Sequence, residues 1–240
     1  MTTTAAPPAR PSDAARPELV RTARVTGSLY LGLALTGMLG FLVVRGQLFV
    51  DGDPTATLTN LVEQAGLARL GVVLEMGIVL TQALCALWFF RLFRSVDSFA
   101  AGCIAVFGAI NAVAITGSAA LLATAIDVAG GALDSPDSSA ATVQLLYLVS
   151  GHLWTVAGLF FGLWLIPMGW LARRSGWMPP ALGWVLMIGG VGYVVGAFIS
   201  YAAPSADGVA DAMTIPASIG EFWILGYLII VGVRRTATLT

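Results

Sequence analysis

The sequence predicts an all-α integral membrane protein, a bundle of six transmembrane helices, and three observations carry that reading. First, 58% of the 240 residues are hydrophobic and 10% are charged, where an ordinary soluble domain carries about 25% charged residues. A globule of this size has no way to hide so much apolar side chain from water, whereas a bilayer acts as its solvent. Second, the apolar residues fall in six stretches long enough to cross a hydrocarbon core, for which a helix needs about 20 residues. Third, the arginines alternate with those stretches as an even number of crossings requires.

The first stretch covers residues 25–44, preceded by Arg10, Arg16, Arg21 and Arg24. The second covers 67–90 and is followed by Arg91 and Arg94. The third, 99–126, is long enough to tilt or to extend past the interface. The fourth, 145–172, is followed by Arg173 and Arg174; the fifth covers 181–203; the sixth, 215–233, is followed by Arg234 and Arg235. Segments containing Gly, Pro, Asp and Ser separate them and read as loops. Alternation places these arginines on one side, which the positive-inside rule makes the cytoplasm. The other side collects Asp51, Asp53, Glu63, Asp127, Asp134, Asp137, Asp207 and Asp211, with only Arg45 and Arg69 among them. Both termini are therefore expected in the cytoplasm, and the protein in a bacterial inner membrane. Residues 1–24, rich in Ala, Pro, Thr and Arg, read as a mobile cytoplasmic tail without signal-peptide character. Residues 25–233 form the six-helix domain and 234–240 a short cytoplasmic tail.

Small residues mark the expected helix contacts, because they let backbones approach closely in lipid. Gly158 and Gly162 form one GxxxG pair and Gly192 and Gly196 another; Ala101, Ala105 and Ala109 make a small stripe. Trp154, Trp164, Trp170, Trp177, Trp184 and Trp223 read as interface anchors and packing. Cys85 and Cys103 have no metal-ligand spacing and read as free thiols.

Several function classes drop out. A net charge of -1 supplies no basic face for nucleic acid. There is no P-loop, no Gly-rich nucleotide fingerprint and no Ser-His-Asp set. One histidine excludes bis-His haem within a single chain. The sequence points to no cofactor.

The polar residues inside the spans are the candidates for chemistry: Glu75 and Gln82 in the second, Asn111 in the third, His152 in the fourth and Glu221 in the sixth, with Arg69 at one end of the second. An ionisable group in hydrocarbon costs about 2.5–3.5 kcal/mol on insertion scales, so it faces inward and finds a partner. At 1.5 Å per residue, Glu75 lies about 12 Å, His152 about 10 Å and Glu221 about 9 Å from the outer ends of their spans. Gln82, seven residues on from Glu75, shares its helix face one layer deeper. These positions suggest a polar pocket opening outward, with Arg69 paired to Glu221 and Glu75 protonated, bonded to His152 or Gln82, or matched by a cationic ligand. A purely structural ion pair fixing helix register stands beside that reading with equal weight. A metal held by Glu75, His152 and Glu221 is the weakest alternative.

Thr57-x-x-Asn60, Arg69-x-Gly71 and Glu75 resemble the start of the bacterial and archaeal membrane family DUF4386, a domain of unknown function. So do Phe161-Gly162, Gly169, Ser175-Gly176-Trp177-x-Pro179, Leu182-Gly183 and Gly192-Tyr193, and, in the last span, Pro216-Ala217-x-x-Gly220-Glu221. Two positions depart from the family pattern: Phe90 stands where a Tyr is usual, and Glu75 where an Asp is. The resemblance implies six spans and unassigned activity, and draws attention to Arg69, Glu75 and Glu221. The expectation is a protein, surrounded by lipid, that binds or transports a small molecule, lipid or ion through the polar pocket. A membrane-embedded hydrolase, metal-dependent or not, and an accessory subunit without its own ligand are the rivals. Whether the chain is an enzyme stays open.

Overall fold

A computed structural model describes residues 16–133 and 135–234. Seven helices account for nearly all of them, with no strand among the described residues. They are α1 (Arg16–Leu48), α2 (Pro54–Glu63), α3 (Ala65–Phe93), α4 (Ser98–Ala132), α5 (Pro136–Ser175), α6 (Pro180–Ala202) and α7 (Gly208–Ile230). All but α2 are long and apolar enough to cross a membrane. Their exposed positions are apolar too: Val73, Met76 and Leu80 on α3 are each about 60% exposed, and Val113 on α4 is 71% exposed. Water penalises such a surface and a bilayer does not. The chain is a multi-pass membrane protein.

Three helices begin earlier than the apolar runs. The first starts at Arg16 rather than at residue 25, the fourth span at Pro136 rather than 145, and the sixth at Gly208 rather than 215. Hydropathy marks where a helix enters hydrocarbon, whereas hydrogen bonding lets it continue into water. Residues 16–24 are good helix formers, with Pro17 in the first turn, where its missing N–H is not needed. Glu18 suits the positive end of that helix and also pairs with Arg91 at 3.0 Å. The first loop holds α2, capped by Asp53, whose side chain accepts the Ala56 N–H at 2.9 Å. Asp97 caps α4 in the same way through Ala100, at 3.0 Å. Residues 1–15, Asp134 and residues 235–240, with Arg10 and Arg235 among them, and the side chain of Asp207 lie outside the described residues.

The chain divides into two compact units. One comprises the described parts of Met1–Leu29, Cys85–Gly108 and Phe160–Thr240. It is knit by glycines. A Cβ on Gly162 would lie 2.5 Å from the Gly190 carbonyl oxygen, and one on Gly169 would strike that of Gly183. These two pairs sit seven residues apart on both α5 and α6, so the helices cross backbone to backbone. On the other face of α6, Gly189, Gly192 and Gly196 meet Ala217, Met213 and Ala210 of α7. The Gly192–Gly196 expectation therefore holds. In the other pair only Gly162 is used, since nothing approaches Gly158. The close approach on α4 is made by Gly108, against Ala86 and Trp164, while Ala109 is exposed. Trp164 is fully buried against Phe89, a packing residue and not an interface anchor. Cys85 is buried, Cys103 half-buried, and both are free.

The other unit comprises Tyr30–Leu84 and Ala109–Leu159. Its core gathers Val44, Leu48, Leu61, Ala68, Leu122, Ala125, Val143 and Tyr147. The loop after α1 is locked there. Thr57 donates to Gln144 at 2.9 Å, Gln144 donates to the Val50 carbonyl at 3.2 Å, and Asn60 donates to the Leu48 carbonyl at 3.2 Å. The Thr57-x-x-Asn60 pattern is thus a loop fastening.

Candidate functional site

The buried faces of α3 and α4 follow a heptad seam. On α3 the buried positions within this unit are Ala68, Gly71, Glu75, Ile78 and Gln82; on α4 they include Asn111, Ile115, Ser118, Leu122 and Ala125, with Ala112, Ala119 and Val128 buried beside them. Alternating steps of three and four keep one stripe facing a neighbour. Ser118 donates to Glu75 Oε1 at 3.0 Å, which fixes the antiparallel register. In that register Ala68 stands level with Ala125, Gly71 with Leu122, Ile78 with Ile115 and Gln82 with Asn111. The seam therefore carries two polar layers separated by an isoleucine layer.

The Glu75 layer draws on four helices. Trp154 Nε1 on α5 also donates to Glu75 Oε1, at 3.2 Å. Ser118 Oγ lies 2.8 Å from Ser150 Oγ, and Ser150 Oγ accepts from Arg45 Nη1 at 3.0 Å. A hydroxyl has one proton to give. Ser118 gives its proton to Glu75, so Ser150 must give its own to Ser118. The order Arg45 to Ser150 to Ser118 to Glu75 is a single directed series from a guanidinium to a carboxylate.

Arg45 is placed with care. It ends a π-helical stretch of α1, Leu39–Arg45, whose wider turn re-aims the side chain. Its Nη2 donates to the Tyr147 carbonyl at 2.9 Å. The rings of Phe41, Phe49 and Tyr147 lie 5.7, 5.8 and 5.7 Å from its Cζ, within cation–π range. Gly151 makes the room: a Cβ there would lie 3.1 Å from Nη2.

Glu75 is 5% exposed. Its Oε1 is doubly bonded while its Oε2 is buried with no partner. Glu75 and Arg45 line a cavity of about 20 Å³ with Gly71, Ile78, Leu122 and Tyr147. That is room for about one water molecule. It is far below the several hundred Å³ of a small-molecule site. One heptad along, Gln82 and Asn111 are 1% and 0% exposed, and neither side-chain amide has a hydrogen-bond partner.

The six residues expected from sequence divide. Glu75, Gln82 and Asn111 are buried on one seam. Arg69, expected to turn inward and pair with a glutamate, is exposed. Its place beside the buried carboxylate is taken by Arg45, because Arg69 falls next to Ala68 and Leu70, off the seam. His152 is also exposed, and the donors to Glu75 are Ser118 and Trp154 rather than His152 or Gln82. Glu221 is half-buried and belongs to the other unit. No three His, Cys, Asp or Glu side chains come together as a metal site among the described residues, and Glu75, His152 and Glu221 do not do so. Sequence reasoning missed Arg45, Ser118, Ser150 and the bonding role of Trp154. For Arg45 a signal existed, a lone cation at the end of a span on the acidic side.

No curated protein and no solved structure matches the chain. A family model described as Domain of unknown function (DUF4386) matches residues 25–232, and the chain belongs to that family.

Proposed function

We propose that this is an inner-membrane protein, with both termini cytoplasmic, that binds and moves a small ion through the Glu75 layer, and that the ion is a proton. The observation that carries the reading is the division of labour on Glu75. Oε1 is held by two donors, Oε2 is buried and unpartnered, and Glu75 lines a cavity with room for about one water. A proton arriving on Oε2 leaves both bonds to Oε1 intact. Arg45, joined through the two serines, supplies the counter-charge when the proton leaves. A cavity this small favours an ion over the small molecules or lipids that an outward-opening pocket would take. The arginine distribution supports the orientation.

A structural reading is favoured by the same bonds, because a carboxylate and a guanidinium bridged across helices also fix register. The two are separated by proteoliposomes holding a trapped pH dye, with a potassium gradient and valinomycin imposing a potential. The proposal expects proton uptake that Glu75→Gln abolishes while the variant inserts and unfolds like the parent. Equal uptake in parent, variant and empty liposomes would leave only the structural role.

A further inference from the structure

We infer a binding site for one anionic phospholipid at the start of α1, independent of the Glu75 layer. The groove there measures about 1170 Å³ and is lined by Arg16, Arg21, Arg24 and Ser28 together with Val20, Val25, Leu29 and Val231. Three arginines line it, and no acidic residue does among the described residues. Arg21 and Arg24 are exposed and three residues apart, so they point the same way. Arg16 brings an Nε that is buried yet has no hydrogen-bond partner.

The fold builds this groove. Gly27 brings α1 against α7 so closely that a Cβ would lie 2.9 Å from the Leu228 Cβ. Four residues on, the chain leaves α7 through Gly232, at φ 73°, whose N–H bonds the Tyr227 carbonyl at 3.0 Å. Gly232 in turn packs on Val20, where a Cβ would lie 3.2 Å from Cγ1, and Val20 and Val231 line the groove beside that contact.

The arrangement of charge and apolar wall identifies the occupant. Arg16 and Arg21 precede the apolar stretch, and Val25 and Leu29 lie inside it. A groove crossing that boundary offers guanidinium donors at the level of lipid phosphates and an apolar wall at the level of acyl chains. A free anion has no use for the wall, and a neutral lipid gains nothing from three arginines. Phosphatidylglycerol, with net negative charge and one phosphodiester, fits both parts.

The full-length protein, delipidated in a neutral detergent, is offered equal amounts of dioleoyl phosphatidylglycerol and dioleoyl phosphatidylcholine and read by native mass spectrometry. One phosphatidylglycerol should be retained at least about tenfold better than phosphatidylcholine. Arg21→Gln with Arg24→Gln should bring retention down to the phosphatidylcholine level, and Arg94→Gln, exposed but outside the groove, should not. Millimolar inorganic phosphate should not displace the lipid. If the double variant fails to fold, the single Arg24→Gln should show a partial loss of the same preference. Equal retention of both lipids, an unchanged preference in a folded double variant, or full displacement by phosphate would overturn the site. So would lipid binding that appears only when residues 2–15 are deleted, since the groove would then belong to the chain's own tail.

Discussion

Ser118 and Ser150 stand 2.8 Å apart, oxygen to oxygen, between a carboxylate and a guanidinium. Glu75 bonds the first and Arg45 the second. The two charges are thus tied by hydroxyls instead of by direct contact, and each serine is a separate handle on the pair.

Replacing either serine should therefore be felt at the other. Ser118→Ala removes one of the two donors to Glu75 Oε1, and Ser150→Ala removes the acceptor of Arg45 Nη1. Each should cost about 1–2 kcal/mol, the range for hydrogen bonds to charged groups and for the stronger ones in membranes. The double variant should lose less than the sum, because breaking the series once already disconnects the charges. Thermal unfolding of the four proteins in one detergent measures this.

The identity of the arginine is tested by comparing two substitutions. Arg45→Gln leaves a buried carboxylate without its counter-charge, for which about 3–5 kcal/mol is typical. Arg69→Gln changes an exposed side chain and should stay within about 0.5 kcal/mol. Equal losses would return Arg69 to the site.

Glycine substitutions should sort by what lies opposite. Gly192→Val drives a side chain into the Met213 carbonyl and should prevent α6 and α7 from packing. Gly158→Ala meets nothing and should be neutral or stabilising by up to about 1 kcal/mol, since alanine is the better helix former. Yield and unfolding temperature in detergent distinguish them.

The architecture was legible in the sequence because hydropathy and arginine placement report directly on crossing a membrane. The site was legible in part. Glu75 and Gln82 are charged or amide groups inside an apolar run, and their spacing of seven already implies one face. Ser118 and Ser150 were not visible, because hydroxyls scarcely lower hydropathy and ordinarily bond back to their own helix. Thr36, Thr81, Thr116 and Thr124 do that, each reaching the carbonyl four residues back. Nothing in the residue type separates them from the two serines that reach across. Arg45 does not stand out in the sequence because it closes an apolar run, where a cation reads as an interface flank. The π-helical stretch before it also shifts its direction away from the α-helical period.

Topology is tested apart from the site. In a chain lacking Cys85 and Cys103, single cysteines at Asp137 and at Ser175 should react with an impermeant maleimide from opposite sides of the membrane. α5 joins the two positions, and labelling of both from one side would contradict the orientation proposed from the arginines.

Glu75 is proposed to take up and release a proton on Oε2 while Oε1 stays bonded. Infrared difference spectra of the reconstituted protein, recorded between acid and neutral pH, read a protonated carboxyl as its own C=O stretch. A band of a buried carboxylic acid should be present in the parent, absent in Glu75→Gln and unchanged in Glu221→Gln. A parent spectrum without that band, or the same band surviving in Glu75→Gln, would contradict it.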